Sequence, residues 1–268
     1  MKDYRAVLLD LDGVIYRGEQ VLPGARELVA WLDATGRRAL YLSNNSLATP
    51  AEVTAKLARL GLPRPQGRVL TAGGLAAQVL ARRFPGGRVY VLAMPAIAGL
   101  VAELGLHLAW QETEAGPVPD AVLVGLDRSL TYERLARGLR AVLGGATFIA
   151  VNRDPRLPVE DGFELGTGSI ATALEYASGQ PAEIIGKPAP DIVVAALRQL
   201  DTSPEDALMV GDGLDLDVVA GRAAGVDTAL VLTGLTTADQ ARAATGDRQP
   251  TYVFNDLPEL LAALQRTS

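Results

Sequence analysis

The sequence contains no cysteine among its 268 residues and only one histidine, His107. Without cysteine the chain cannot form disulfides, thiolate-bound zinc sites, iron–sulfur clusters or a thiol nucleophile. His107 lies in an apolar stretch, where a packed or edge-strand position is more common than a catalytic base, and catalysis by histidine is not expected. Any chemistry must therefore rest on other side chains.

The chain also lacks clustered positive charge and long apolar runs. Its formal net charge is −6, with scattered lysines and arginines, whereas binding to a nucleic-acid polymer relies on clustered cations. No apolar run approaches the ~20 residues that a membrane span requires. The first five residues lead into an apolar strand without the features of a secretion signal. We expect a cytoplasmic protein with small-molecule partners, bound to neither nucleic acid nor membrane.

Short apolar runs alternate with amphipathic stretches at both ends of the chain, a rhythm typical of parallel strands joined by helices. Near the N-terminus strands are predicted at 6–9 and 39–42, with helices at 25–34 and 50–60. Near the C-terminus strands are predicted at 207–210 and 228–232, with helices ending near Ala224 and at 258–265. The two ends together predict an α/β fold with one doubly wound, Rossmann-like parallel sheet.

A second α/β series lies between these ends. Its predicted strands are 88–92, 121–124 and 147–151, and its predicted helices are 132–143 and 169–176. Turn-rich segments at 84–87 and 178–181 flank this series, as expected of a domain inserted into a surface loop. We predict a core domain formed by residues 1–81 and 183–268, and a smaller inserted α/β domain at 82–182.

Two carboxylates, Asp10 and Asp12, follow the first predicted strand. In an open α/β sheet, ligands gather at the carboxyl ends of the strands, and this is where chemistry is expected. Two carboxylates so close together repel each other, and a divalent cation or a shared proton offsets that repulsion. A hard cation with oxygen ligands is implied, and Mg²⁺ is the usual one where phosphate is also bound.

Three further segments add to this pair, and the first two have a simpler interpretation when taken alone. Ser43 and Asn44 follow the second strand and offer donors to phosphate oxygens, or they form a turn that caps its own backbone. Lys187 stands at a tight turn, where it can neutralise a phosphoryl oxygen or be ordinary surface. The glycine- and acid-rich segment 211–217 offers a third metal carboxylate, Asp212, and a further acid, Asp217.

With these four segments in this order, the sequence resembles the haloacid dehalogenase (HAD) superfamily of phosphatases along its whole length. The intervening domain resembles the C2 cap of the NagD-like, or class IIA, subgroup, which includes 4-nitrophenyl-phosphate phosphatases. The resemblance implies that Mg²⁺ is held by Asp10, Asp212 and the backbone carbonyl of Asp12. It also implies a homodimer formed through the cap.

The same resemblance implies a role for each residue. Asp10 attacks phosphorus and forms an aspartyl phosphate, while Asp12 protonates the leaving oxygen and later deprotonates the attacking water. Ser43, Asn44 and Lys187 hold the phosphoryl oxygens, and Asp217 orients metal-bound water. The cap should supply contacts to the leaving group, for which the candidates are Asn152, Arg153, Asp154 and a predicted turn at 161–168. The expected substrates are small phosphomonoesters such as nucleotides, sugar phosphates, phosphoglycolate or 4-nitrophenyl phosphate.

Several other functions are consistent with parts of the pattern. A dehalogenase or a transport ATPase would not need Asp12, and a phosphomutase of the superfamily usually carries a helical cap between its first two motifs. Nicotinamide and P-loop enzymes are disfavoured because their glycine signatures are absent from the first strand–helix turn. A non-catalytic phosphate- or metal-sensing module stays as the alternative. It predicts binding without turnover, and Asp12, needed as a proton shuttle, speaks against it.

Overall fold

The computed structural model describes residues 1–63, 65–109, 116–159 and 162–267. The chain divides into two compact units. The first unit contains Met1–Ser43, Pro50–Leu70 and Lys187–Ser268, and the second contains Asn44–Thr49 and Thr71–Gly186. Both predicted domain boundaries, 81/82 and 182/183, lie inside the second unit.

The strands are short, and most of them alternate with helices along the chain. The strands are β1 (Ala6–Asp10), β2 (Tyr16–Arg17), β3 (Gln20–Val21), β4 (Arg38–Ser43), β5 (Val69–Thr71), β6 (Arg88–Leu92), β7 (His107–Leu108), β8 (Ala121–Val124), β9 (Thr147–Ala150), β10 (Arg156–Val159), β11 (Gly162–Leu165), β12 (Glu183–Ile184), β13 (Ala207–Gly211), β14 (Asp227–Val231) and β15 (Tyr252–Phe254).

The helices include one π-helical turn, Leu214–Val218, directly before α8. The helices are α1 (Ala25–Ala34), α2 (Pro50–Arg59), α3 (Ala72–Arg83), α4 (Pro95–Glu103), α5 (Tyr132–Leu143), α6 (Thr167–Ser178), α7 (Asp191–Gln199), α8 (Val219–Ala223), α9 (Ala238–Ala243) and α10 (Leu257–Gln265). Two 3₁₀ turns, Pro204–Asp206 and Gly246–Arg248, complete the list. None of the helices in these described stretches has the length and apolar character needed to cross a membrane.

The first unit is built on a sheet with strand order β15–β14–β13–β1–β4–β5. Strand β1 pairs in parallel with both β13 and β4, and every residue of β1 is buried. Burial on both faces explains why this strand is an uninterrupted apolar run up to its final aspartate. The chain proceeds outward from β1 in one direction and from β13 in the other. The order therefore reverses between β1 and β13, where ligand sites are expected.

The second unit contains its own sheet, with strand order β12–β9–β8–β6–β7 and parallel pairs along β12, β9, β8, β6 and β7. Its core includes Leu92, Val124 and Ala150 from the strands and Leu174 from α6. Strands β10 and β11 form an antiparallel pair outside this sheet. His107 lies on the edge strand β7, as its apolar surroundings predicted.

The predicted α/β class and the doubly wound parallel sheet are confirmed, and helix α1 has the predicted bounds. The predicted turn at 161–168 is wrong over most of its length, because 162–165 form β11 and α6 begins at Thr167. Asp161 lies outside the described residues. A short strand with four exposed residues lacks the burial pattern that identifies strands in a sequence, which explains the error.

Candidate active site

The first candidate residue, Asp10, ends the central strand of the first unit. In the sheet, Asp10 pairs with Leu42 on β4, and Leu9, the residue before it, pairs with Val210 on β13. Because the three strands are parallel, their carboxyl ends lie at one edge of the sheet. Ser43 and Gly211 end β4 and β13 at this edge, and Asp212 follows Gly211 directly.

The acids at this edge form one cluster. Asp10, Asp212 and Asp217 each offer a carboxylate oxygen, and these oxygens all lie within 4.8 Å of one another. All three residues are buried. Among the described residues this is the group of acids that could hold a metal ion, and the carboxylate of Asp12 is not part of it.

The ammonium of Lys187 lies inside this cluster. It donates a hydrogen bond to Asp10 Oδ1 and another, 2.6 Å long, to Asp217 Oδ1. Lys187 is 2% exposed although it lies in a turn, which excludes the surface interpretation of this lysine. Burial alone would lower its pKa, but the charges of Asp10 and Asp217 outweigh that effect and raise it. Lys187 therefore stays an ammonium.

Backbone groups fix the two acids that follow β13. Asp217 Oδ2 accepts hydrogen bonds from the amides of Asp212 and Gly213, at 3.2 and 3.0 Å. Asp212 Oδ2 accepts from the amide of Leu235 at 2.7 Å. The π-helical turn at Leu214–Val218 brings Asp217 back toward the strand end, so both of its oxygens have protein donors.

Two glycines make room for Asp212. A Cβ on Gly234 would lie 1.7 Å from Asp212 Oδ2, and one on Gly13 would lie 2.3 Å from the same atom. Gly13 also has φ +83°, a conformation that side chains with a Cβ rarely adopt. Sequence reasoning missed Gly234 and the Leu235 amide, because nothing in the local sequence relates them to an acid more than twenty positions earlier.

The cluster contains more acids than cations. With all three carboxylates ionised and the one ammonium of Lys187, it would carry two negative charges, the charge that one divalent cation would neutralise. Burial, followed by the charges of Asp217 and Asp212, raises the pKa of Asp10 well above its ordinary value despite the opposing charge of Lys187. Burial and the charge of Asp217 raise the pKa of Asp212 to about 6. The donor set of hard oxygens in a buried, negative site fits Mg²⁺ or Ca²⁺.

Asp12 differs from these acids, because it lies on the turn after β1 and a part of the residue reaches solvent. Neighbouring protein atoms displace part of the water around its carboxyl and raise its pKa, and the charges of Lys56 and then Lys187 oppose that rise. A raised pKa favours a carboxyl that keeps a proton and can donate it. Ser43 is buried at the end of β4. These residues and the acid cluster all belong to the first unit.

The other predicted residues lie in the second unit, where Asn44, Asn152 and Asp154 form hydrogen bonds with one another. Asn152 Nδ2 donates to the carbonyl of Asn44 at 2.6 Å, and Asn44 Nδ2 lies 3.2 Å from Asp154 Oδ1. Arg153 forms a two-point ion pair with Glu175, with distances of 2.8 and 2.6 Å. Asn152, Arg153 and Asp154, for which substrate contacts were predicted, thus each have a protein partner in the structure.

Comparison with known proteins agrees with this geometry. A family model described as haloacid dehalogenase-like hydrolase matches residues 7–107, and one described as HAD-hydrolase-like matches residues 184–260. An acid sugar phosphatase from Staphylococcus aureus is 36% identical over 266 residues, which cover 99% of this chain and 100% of that protein.

Solved structures give the same result. A p-nitrophenyl phosphatase from Archaeoglobus fulgidus matches with a TM-score of 0.90 and 32% identity, covering 98% of this chain and 100% of that one. A glycerol phosphate phosphatase from Mycobacterium tuberculosis, solved in complex with calcium, matches with a TM-score of 0.86 and 36% identity. The match covers 96% of this chain and 74% of that one. The chain belongs to the haloacid dehalogenase-like hydrolase family, and the phosphatase class and NagD-like resemblance predicted from its motifs are confirmed.

Proposed function

We propose that this protein is a Mg²⁺-dependent phosphatase that hydrolyses small phosphomonoesters through an aspartyl phosphate formed on Asp10. The observation that carries the proposal is the position of Asp10, which bonds to Lys187 and is grouped with Asp212 and Asp217 at the point where the strand order reverses. The carboxylate of Asp10, which would be the nucleophile, thus lies beside a fixed cation and beside oxygens that could bind a metal.

Asp10, Asp212 and the backbone carbonyl of Asp12 would hold the metal, with Asp217 orienting its water. The bound cation would neutralise charge on the phosphoryl oxygens and lower the pKa of Asp10 so that it is an anion at neutral pH. The solved relatives support a divalent cation, since the M. tuberculosis enzyme was crystallised with calcium and with magnesium. Mg²⁺ is the assignment proposed here.

Each step of the reaction then has a residue to perform it. A carboxylate oxygen of Asp10 bonds to phosphorus as the bond to the ester oxygen breaks, and Asp12 delivers a proton to that oxygen so that an alcohol leaves. Asp12, now ionised, takes a proton from the water that attacks the aspartyl phosphate, releasing inorganic phosphate and restoring Asp10. Lys187, with Ser43 and Asn44, binds the phosphoryl oxygens and stabilises their charge as it develops.

The named relatives act on sugar phosphates, glycerol phosphate or 4-nitrophenyl phosphate, which supports a small phosphomonoester as the substrate of this chain. A role for Asn152, Arg153 and Asp154 in substrate selection stays a prediction. A cytoplasmic location and a homodimer formed through the inserted domain also stay predictions, supported by the cysteine-free composition and the family resemblance. Sedimentation velocity over a range of concentrations would test the dimer.

The experiment that tests the proposal is hydrolysis of 4-nitrophenyl phosphate by the wild type and by Asp10→Asn, with Mg²⁺ and with EDTA. Turnover should require Mg²⁺ and vanish in the variant, and brief reaction with phosphorus-labelled substrate should label the wild type alone. Metal-dependent turnover that survives Asp10→Asn would refute the assigned nucleophile. No turnover on this ester or on a panel of phosphometabolites would instead favour a sensing module.

A further inference from the structure

The turn that carries Asp12 is closed by Tyr16, the first residue of β2. The amide of Gly13 donates to the carbonyl of Tyr16 at 2.8 Å, and the amide of Tyr16 donates to the carbonyl of Leu11 at 3.1 Å. Asp12 itself forms an isolated β-bridge with Tyr16. The backbone position of Asp12 therefore depends on where Tyr16 is held.

Tyr16 is held by helix α2. The residue is 2% exposed, and Lys56 Nζ lies over the face of its ring, 4.0 Å from the centroid. An ammonium over an aromatic face is attracted by the negative charge density of the ring, and more strongly where water is excluded. The side chain of Lys56 is only a quarter exposed. The contact joins the helix to the turn through a buried ring.

The same lysine also contacts the hairpin formed by β2 and β3. Lys56 Nζ lies 3.6 Å from Glu19 Oε1, at the tip of the hairpin. Arg59, one helical turn further along α2, lies 3.6 Å from Glu19 Oε2, with a largely exposed side chain. Lys56 thus contacts the hairpin at both its base and its tip, whereas the Arg59 ion pair is with the tip. This difference makes Arg59 a matched control.

We propose that Lys56 is a positioning residue that acts through Tyr16 to hold the turn bearing Asp12 where its carboxyl can deliver a proton to the leaving oxygen. This inference rests on the acid–base role of Asp12 in the proposed function. It predicts that replacing Lys56 lowers kcat/KM most for substrates whose leaving group most needs that proton. An alkoxide needs the proton, whereas 4-nitrophenolate leaves readily without it.

The test compares kcat/KM for 4-nitrophenyl phosphate and for an alkyl phosphate, glycerol phosphate, because this parameter covers the steps through cleavage of the ester bond. Lys56→Met should lose roughly tenfold more kcat/KM on the alkyl than on the aryl ester, a part of the 10²–10⁴ that general acid catalysis supplies. Lys56→Arg, which keeps a cation over the ring, should restore most of the loss. Arg59→Met should leave the ratio of kcat/KM on the two esters within about twofold of the wild-type ratio, because an exposed ion pair contributes little.

Two further variants keep the outcomes separate. Tyr16→Leu should show the same preference for the aryl ester, and the Tyr16→Leu/Lys56→Met double variant should be little worse than either single one, as coupled residues are. Asp12→Asn reports on the underlying mechanism. If Asp12→Asn lowers kcat/KM by the same factor on both esters, the acid role in the proposed function is wrong. If Asp12→Asn lowers kcat/KM more on the alkyl ester, and neither Lys56→Met nor Tyr16→Leu does so, the positioning role of Lys56 is overturned.

Discussion

Lys187 Nζ donates to Asp217 Oδ1 over 2.6 Å, and the two residues are each 2% exposed. The same ammonium bonds to Asp10, so one cation balances part of the charge of two buried carboxylates. Removing one partner of such a group leaves the others charged, buried and uncompensated, which is more costly than removing the whole group.

We therefore expect Lys187→Met to lower the free energy of unfolding by about 3–5 kcal/mol in EDTA, measured by urea denaturation. Adding Asp217→Asn to this variant should recover part of the stability, because one uncompensated charge is removed, but no phosphatase activity. A Lys187→Met protein as stable as the wild type would show that the ion pairs contribute nothing to the folded state.

A second prediction concerns the space around Asp212. Gly234→Ala places a methyl group close to where Asp212 Oδ2 now lies, so the carboxylate must move away from the position in which we propose that it binds the metal. We expect the Mg²⁺ concentration needed for half-maximal activity to rise roughly 10–100-fold, as when the groups that orient a metal ligand are lost. Gly99→Ala is the control, since a Cβ there meets nothing within 4 Å and the residue is in helix α4. Equal Mg²⁺ dependence in both variants would contradict the assignment of Asp212.

The pKa of Asp212, raised to about 6, predicts two opposite effects of pH. Without metal, the folded protein keeps this proton at pH values where the unfolded chain, with an ordinary pKa near ~3.9, has lost it. The folded state is thus favoured by low pH, and the free energy of unfolding in EDTA should decrease as pH rises from about 4 to 6. Urea denaturation at several pH values in EDTA measures this slope, which should flatten in Asp212→Asn.

Metal binding should show the reverse dependence. Mg²⁺ competes with the proton on Asp212, so its affinity should weaken as pH falls below about 6. The rise in Tm caused by a fixed Mg²⁺ concentration should accordingly be larger at pH 7.5 than at pH 5.5. A Tm increase independent of pH over this range would mean that Asp212 is ionised throughout and that its pKa is not raised.

In the second unit, Asn152 and Arg153 are neighbours with different surroundings. Asn152 is buried, and besides its bond to Asn44 its Oδ1 accepts from the amide of Asp154 at 3.1 Å. Asn152→Ala should cost about 1–3 kcal/mol of stability, because two half-buried backbone groups, the Asn44 carbonyl and the Asp154 amide, lose their partners. The Arg153 side chain is 39% exposed in its pair with Glu175, and Arg153→Ala should cost at most about 1 kcal/mol. Urea denaturation of the two variants checks this difference.

The small cost expected of Arg153→Ala makes it the better probe of substrate selection. KM values of this variant on a panel of phosphomonoesters can be compared with the wild type without a large change in stability. A selective change in KM for one class of ester would support the predicted specificity role. Unchanged values across the panel would assign Arg153 to the ion pair with Glu175 alone.

Much of the fold followed from local pattern. Helix α1 and strands β1 and β4 are identified in the sequence because fully buried strands and amphipathic helices impose their periodicity on consecutive residues. The two-residue strands β2 and β3, and the exposed strand β11, leave no such pattern. The domain boundaries were predicted from turns in the sequence, whereas the two compact units are defined by contacts between segments that are distant in sequence.

By itself, the sequence determined the α/β class, the hydrolase family and the identity of Asp10, Asp12, Ser43, Lys187, Asp212 and Asp217 as candidates, because each follows a recognisable strand or turn. Only the tertiary structure decided that Lys187 is buried between Asp10 and Asp217, that Gly234 and the Leu235 amide fix Asp212, and that Lys56 lies over Tyr16. Burial, charge compensation and close approach depend on segments that are far apart along the chain and meet only when the sheet assembles.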